Sequence, residues 1–343
     1  MTVRRLSRLR LTALAAAGAA LLALSGCAGE APSAGSGARA AQGGTLNIDF
    51  ATYNPLSLLI KEKGWLEQTL AGEGVTVNWI QSAGSNKANE ALKSGALDVG
   101  STAGSAALLA RANGSDIHSI VVYSQPEWSA LVVRGDSTAQ SVAQLAGKKI
   151  AATSGTDPYF FLVQALTEAG LSTADVEIVN LQHADGWAAL QRGDVDAWAG
   201  LDPIMAGAEA QGARLIYRNV RFNSYGLLNA TASFLAARPE LAQRVVDVYE
   251  HARGYALAHL EETASILAKV AGLEPAVASA VVTQRSNLGV TAAPGDEQRA
   301  VLAVIAPILL QQGTVQDGQA VDEALRTLLE PRFALRADPS IVS

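Results

Sequence analysis

The 343-residue chain is short of most groups that catalysis and metal binding draw on. It has one cysteine, which excludes an intrachain disulfide, a cysteine-based zinc site and an iron–sulfur cluster. Four scattered histidines argue against a His-rich metal site. Acids outnumber bases 32 to 26, so there is no basic surplus for nucleic acid, whose phosphates need clustered Lys and Arg. Only 17% of residues are charged and 49% are hydrophobic, which excludes a disordered chain. The length fits about two globular units. No apolar run reaches the roughly 20 residues of a membrane span. Leu11–Leu24 is too short, and Val301–Leu310 reads as a buried helix face.

Enzyme signatures are also missing. No G-x-G-x-x-G follows a strand, Gly147-Lys148-Lys149 lacks the rest of a P-loop, and there is no H-E-x-x-H. The nearest approach to a hydrolase elbow is Gly100-Ser101-Thr102-Ala103-Gly104, with Thr at the centre; the spacing of His118 and His183 supports no triad. Asp194, Asp196 and Asp202 lie close in sequence but read as turn and helix-start residues rather than as a cation site. No cofactor or metal is expected.

The N-terminus has the layout of a secretory signal. Arg4, Arg5, Arg8 and Arg10 precede the short apolar run, and Leu24-Ser25-Gly26-Cys27 resembles a bacterial lipobox. This predicts a signal peptide over 1–26, lipidation of Cys27 and a flexible Ala/Gly/Ser tether over 27–44. Acyl chains on Cys27 would hold the protein at a membrane surface.

From Thr45 onward, strand and helix patterns alternate. Strands are expected at Thr45–Phe50, Val75–Ile80, Ala96–Gly100, Ile117–Tyr123 and Ala130–Arg134. Helices are expected at Pro55–Trp65, Lys87–Lys93 and Ala103–Ala112. A second block follows, with strands at Lys149–Ala152, Val176–Leu181, Val195–Gly200 and Arg214–Tyr217, and helices at Asp157–Ala169, Asp185–Gln191 and Pro203–Gln211. Beyond Thr231 the pattern is almost entirely helical. Such alternation implies an α/β fold with mainly parallel sheets flanked by helices, in two lobes with a helical tail packed on one of them.

Two strand-to-helix turns carry the most chemical information. Thr153-Ser154-Gly155-Thr156-Asp157-Pro158-Tyr159 opens one helix; Ser101-Thr102-Ala103-Gly104-Ser105 opens the other. A first helical turn leaves amide donors unpaired at the positive end of the helix dipole, which makes it an anion site where small residues let a ligand approach. Asp157 also fits a plain N-cap. Tyr53, Trp128, Tyr159 and Tyr225 are candidates for apolar walls. Trp65, Trp79 and Trp198 read as core, and His183 as a solvated or capping residue.

The ordered set KEKGWLE (61–67), NEALKSGALDVGSTAGSAALLA (89–110), VAQLAGKKIAATSGTDPYFFLVQALTEAGL (142–171), LQHADGWAALQRGDVDAWAGLDPIMAGAEAQGARL (181–215) and LNATASFLAARPELAQRVVDVYEHA (228–252) resembles substrate-binding proteins of bacterial ABC importers, in the aliphatic sulfonate/taurine/nitrate-binding branch. The resemblance implies a type II periplasmic-binding-protein fold whose lobes close on a ligand about a two-strand hinge. Lobe one would comprise 45–133, lobe two 134–227, and 228–343 would return to lobe one. The implied role is a monomeric, non-catalytic receptor on the periplasmic or extracellular face. It would deliver a small-molecule anion, an aliphatic sulfonate or taurine-like compound, to an ABC permease and its ATPase. A nitrate-like anion, a pyrimidine vitamin precursor, an aromatic acid, or an enzyme resembling pyrimidine-precursor synthases are the alternatives.

By motif position, the resemblance places Tyr53, Asn54, Ser85, Ser101, Thr102, Ala103, Trp128, Ser129, Ser154, Gly155, Thr156, Tyr159, Asp202 and Tyr225 in the cleft, with Asn86 and the weaker Lys87 beside them. Two residues depart from the family pattern: Asp157 stands where a neutral residue such as Asn is common, and Leu201 where Trp is common.

Overall fold

The structure, a computed structural model, describes residues 43–342. The signal, Cys27 and nearly all of the tether lie outside the described residues. Among the described residues, ten strands form two five-stranded sheets. They are β1 (Gly44–Phe50), β2 (Val75–Gln81), β3 (Val99–Ala103), β4 (Ile117–Ser124), β5 (Ser129–Val133), β6 (Lys149–Ala152), β7 (Glu177–Asn180), β8 (Ala197–Leu201), β9 (Arg214–Arg218) and β10 (Gly226–Thr231). The helices are α1 (Pro55–Lys63), α2 (Trp65–Leu70), α3 (Ser85–Ser94), α4 (Gly104–Ala112), α5 (Asp157–Glu168), α6 (His183–Arg192), α7 (Ile204–Ala210), α8 (Ala232–Ala237), α9 (Pro239–Ala258), α10 (Leu260–Ala271), α11 (Pro275–Ala280), α12 (Asp296–Gln311) and α13 (Gly318–Thr327).

Sheet one runs β2-β1-β3-β10-β4 and sheet two β7-β6-β8-β5-β9. β1 pairs in parallel with β2 and β3, and β6 with β7 and β8. The strand that enters each sheet from the other lobe, β10 or β5, is antiparallel to both neighbours. The chain therefore changes sheets across 125–128 and again across 219–225. These crossings precede the expected lobe limits at 133/134 and 227/228, because an apolar run such as Ser129–Val133 reads the same whichever sheet it joins. β10 carries no alternation in sequence, since all but one of its residues are buried. A strand buried on both faces loses the period-two alternation by which a half-buried strand is recognised.

Local signals set the helix ends. Asn54 caps α1 through a hydrogen bond accepted from the Ser57 amide, Pro55 occupies the first turn, and Gly64 ends the helix at φ 67°. That left-handed conformation suits glycine and lets a second short helix, α2, start at once.

Sheet one is covered on one face by a cluster that includes Leu56, Leu59, Val245 and Tyr249, and on the other by one that includes Leu108, Leu302 and Leu309. The C-terminal helices thus pack on sheet one. Sheet two is buried between Phe161, Leu162 and Leu166 on one side and Leu190, Trp198 and Met205 on the other. Adjacent residues of α5 divide between lobes: Phe161 packs in lobe two, while Phe160 joins the lobe-one cluster with Tyr225 and Leu302. Trp65 and Trp198 are core as expected, whereas Trp79 is half-buried, its indole donating to Glu67 at 2.7 Å.

Candidate functional site

The start of α5 does not cap itself with Asp157. Thr156 holds the N-cap place in extended backbone, and its hydroxyl donates to the Thr153 carbonyl at 2.6 Å. Asp157 is the first helical residue, and its side chain crosses to the other lobe. Oδ1 accepts from Ser105 Oγ and Ser224 Oγ, both at 2.6 Å. Oδ2 accepts from Trp128 Nε1 at 2.7 Å and from the Ser224 amide at 2.8 Å. Ser105 lies in the first turn of α4, while Trp128 and Ser224 lie on the two crossing segments. Asp157 is 1% exposed. Burial holds its carboxyl above the ordinary carboxylate value, and the four donors pull against that shift. The sequence left open whether Asp157 caps its helix, and it does not: helix periodicity gives the first-turn position but not where a short acid finds its donors.

The opposite helix start also differs from the expected cradle of free amides. The Ser101 amide and hydroxyl bond to Asp49, at 2.8 and 3.1 Å. The Ala103 amide donates to Ser85 Oγ, the Gly104 amide to the Tyr225 carbonyl, and the Ser105 amide to Ser224 Oγ. The Thr102 hydroxyl donates to the Ala103 carbonyl and accepts from Asn229. These donors are consumed inside the protein because each is buried, and buried amides take partners wherever they find them. Asp49 is fully buried, which raises its carboxyl to about 7 despite the serine bonds.

What lies between the lobes is a narrow recess whose cavity volume is only about 10 Å³, lined by Tyr53, Ser124, Trp128, Asp202 and Arg285 among others. Tyr53 and Trp128 meet edge to face with centroids 6.1 Å apart, and the Tyr53 hydroxyl donates to the Ser101 carbonyl at 3.0 Å. Asp202, at the end of β8, accepts from the Ala206 amide at 3.0 Å and pairs with Arg285 Nη1 at 3.3 Å. Burial pushes Asp202 up to about 7, against the pull of that guanidinium. Arg285 also pairs with Glu209 at 2.5 Å. Arg285 ends a π-helical turn in the C-terminal segment of lobe one, so these ion pairs span the lobes. Sequence reasoning missed it, for no motif marks an arginine that tertiary packing carries across 83 residues to Asp202. Among the described residues, the buried hydroxyls of Ser124 and Ser129 have no hydrogen-bond partner.

The recess thus gathers Tyr53, Trp128 and Asp202 from the expected set. Ser85, Ser101, Thr102 and Ala103 are tied into lobe one. Asn54 is a buried helix cap that also donates to the Tyr249 hydroxyl at 3.3 Å. Ser129 is buried at the start of β5, its amide donating to Asn223. Ser154 is exposed, its amide bonded to Asn180. Gly155, at φ 73°, leaves only 3.4 Å between a built Cβ and Leu109 of the opposite lobe. Tyr159 reaches Gln312 and Tyr225 reaches Glu297, so both join lobe-one helices rather than wall the recess. Lys87 pairs with Glu90 at the surface. His183 is not solvated: it is 1% exposed, its Nδ1 is 3.1 Å from Thr153 Oγ1, and burial lowers its pKa to about 4.

Comparison with known proteins agrees with this two-lobed geometry. The model of the NMT1/THI5-like family matches residues 57–263. A protein of Escherichia coli K12 described as an aliphatic sulfonates-binding protein is 34% identical over 213 residues, 59% of this chain and 65% of the relative. The match therefore spans just under two thirds of that relative's length. A Bacillus subtilis 168 protein of the same description is 30% identical over 242 residues, covering 69% of this chain and 72% of the relative. The solved alkanesulfonate-binding protein SsuA of Xanthomonas axonopodis pv. citri, bound to MOPS, superposes with a TM-score of 0.75 at 27% identity. That alignment covers 82% of this chain and 97% of that one.

Proposed function

This chain belongs to the NMT1/THI5-like family, and on that premise we propose that it is the extracytoplasmic solute-binding component of an ABC importer. Its guest is a small organic anion, best matched by an aliphatic sulfonate, which it hands to a permease driven by an ATPase. The observation that carries this reading is the recess between two α/β lobes. Its lining includes one guanidinium, that of Arg285, and the aromatic pair Tyr53 and Trp128. A sulfonate needs a cation or oriented donors for its oxygens and an apolar wall for its alkyl chain. MOPS, the compound in the similar solved structure, is itself an alkanesulfonate in that sense.

The energetics suffice. Micromolar binding corresponds to about 8 kcal/mol. A few charge-assisted hydrogen bonds at roughly 1.5–3 kcal/mol each, together with burial of an alkyl chain at about 0.8 kcal/mol per methylene, reach that figure. A ligand touching both lobes favours the closed form by its differential affinity, and closure is what a permease can read. The protein binds rather than catalyses; anchoring through a lipidated Cys27 and a monomeric state complete the reading.

Calorimetric titration with alkanesulfonates, taurine, short carboxylates, nitrate and pyrimidines tests it. Micromolar-class binding confined to sulfonates is expected. Heat only from nitrate or a pyrimidine would transfer the role to that ligand class, and turnover of any of these compounds would end the receptor reading.

A further inference from the structure

We propose that Asp157 is a specificity-setting internal anion: its carboxylate holds the lobes together on donors one of which, Trp128, also lines the recess, and a sulfonate guest gains those donors by displacing it. This inference rests on the sulfonate reading for its guest, but not for the strap itself.

Four hydrogen bonds, from two serine hydroxyls, one amide and one indole, give each carboxylate oxygen two donors. None of these donors is a cation, so the set suits any compact oxyanion and is not reserved for a carboxylate. The bond from Ser105 joins the first turn of α4 to the first turn of α5, one helix from each lobe. Ser224 supports it on both sides, since its hydroxyl donates to Asp157 while accepting the Ser105 amide. Asp157, Ser105 and Ser224 are each at most 1% exposed, so the strap is shielded from water. A bond of this kind is stronger where water is excluded.

Trp128 connects the strap to the recess. Its ring lines the recess while its N–H holds Asp157. A guest that shifts the indole therefore loosens the carboxylate, and a guest oxygen can replace Asp157 on the freed donors. Until it does, the competent form is only fractionally populated, and apparent affinity is reduced by that fraction.

The test is Asp157→Asn, with Ser105→Ala as a second variant that keeps the carboxylate. The asparagine carboxamide keeps an acceptor for the Trp128 indole and the Ser224 amide, but it turns its N–H groups onto the two serine hydroxyls and carries no charge, so the strap is weakened. Small-angle scattering is recorded without added sulfonate, and pentanesulfonate is then titrated by calorimetry. Asp157→Asn is expected to have a larger radius of gyration than the wild type and to bind pentanesulfonate at least tenfold more tightly. Ser105→Ala is expected to shift the radius in the same direction by less. An unchanged radius in both variants overturns the strap. Unchanged or weaker pentanesulfonate binding in Asp157→Asn overturns the displacement, since Asp157 would then not compete with the guest. If pentanesulfonate binds neither wild type nor variant, the sulfonate reading and the displacement fail together, while the scattering still decides the strap.

Discussion

Trp128 Nε1 stands 2.7 Å from Asp157 Oδ2, so one indole both walls the recess and supports the carboxylate that ties the lobes. Wall and latch are thereby coupled through a single rigid side chain. Its two faces of chemistry, an apolar ring and one N–H donor, can be separated by substitution.

Trp128→Phe keeps an aromatic wall and removes the donor. It leaves a buried carboxylate oxygen one bond short, which costs about 1.5–3 kcal/mol for a hydrogen bond to a charged group. Urea unfolding should show a loss of that size with an unchanged denaturant slope. A loss under about 0.5 kcal/mol, the range of an ordinary surface substitution, would mean the indole N–H is not needed.

Arg285→Met removes the recess cation and leaves Asp202 and Glu209 facing each other without it. Sulfonate affinity should fall at least tenfold, with Arg285→Lys intermediate because a lysine keeps the charge but loses the planar fork. Calorimetry giving wild-type affinity for Arg285→Met would move the anion site elsewhere. Stability should fall less than the roughly 3–5 kcal/mol typical of breaking a buried pair, because Asp202, raised to about 7, protonates readily once unpaired.

His183 gives the fold an acid sensitivity whose sign is fixed. Its pKa is about 4 in the fold against an ordinary 6.5, so between those values the unfolded chain binds a proton that the folded one refuses. The contribution is complete above pH 6.5 and is lost as pH falls toward 4, by at most about 3 kcal/mol. Asp49 and Asp202 work in the opposite sense, since their raised values favour the fold as pH falls. The difference between wild type and His183→Gln isolates the histidine: the variant should lose less stability between pH 6.5 and 4. Parallel curves for the two proteins would remove His183 from the account.

Gly84→Ala tests the second point of lobe contact. A Cβ there would sit 3.0 Å from His183 Nε2 across the cleft and 2.9 Å from Asn86 Oδ1. The backbone at φ 164° admits any residue, so the penalty is purely steric. The variant should scatter as a slightly larger particle and bind sulfonate more weakly, because closure is resisted. An unchanged radius and affinity would show that His183 and Asn86 yield without separating the lobes.

Much of the fold was legible in the residues alone. Alternating strand and helix patterns marked nearly every element, and glycine, proline and cap residues marked many ends, because those signals are local. The runs Gly226–Thr231 and Ser129–Val133 show the limit. Neither shows a two-residue alternation, so the sequence does not say which sheet receives them; strand pairing with distant partners does.

The site divides along the same line. Composition, the ordered motifs and the two hydroxyl-rich turns determined the two-lobed class and brought Tyr53, Trp128 and Asp202 to notice. Only the tertiary structure decided that Asp157 reaches Ser105 and Ser224, that Asp49 takes the Ser101 donors, and that Arg285 arrives from the C-terminal segment. A short polar side chain satisfies itself with whatever donor the packed chain brings within about 3 Å, and which donor that is depends on residues dozens to more than a hundred positions away.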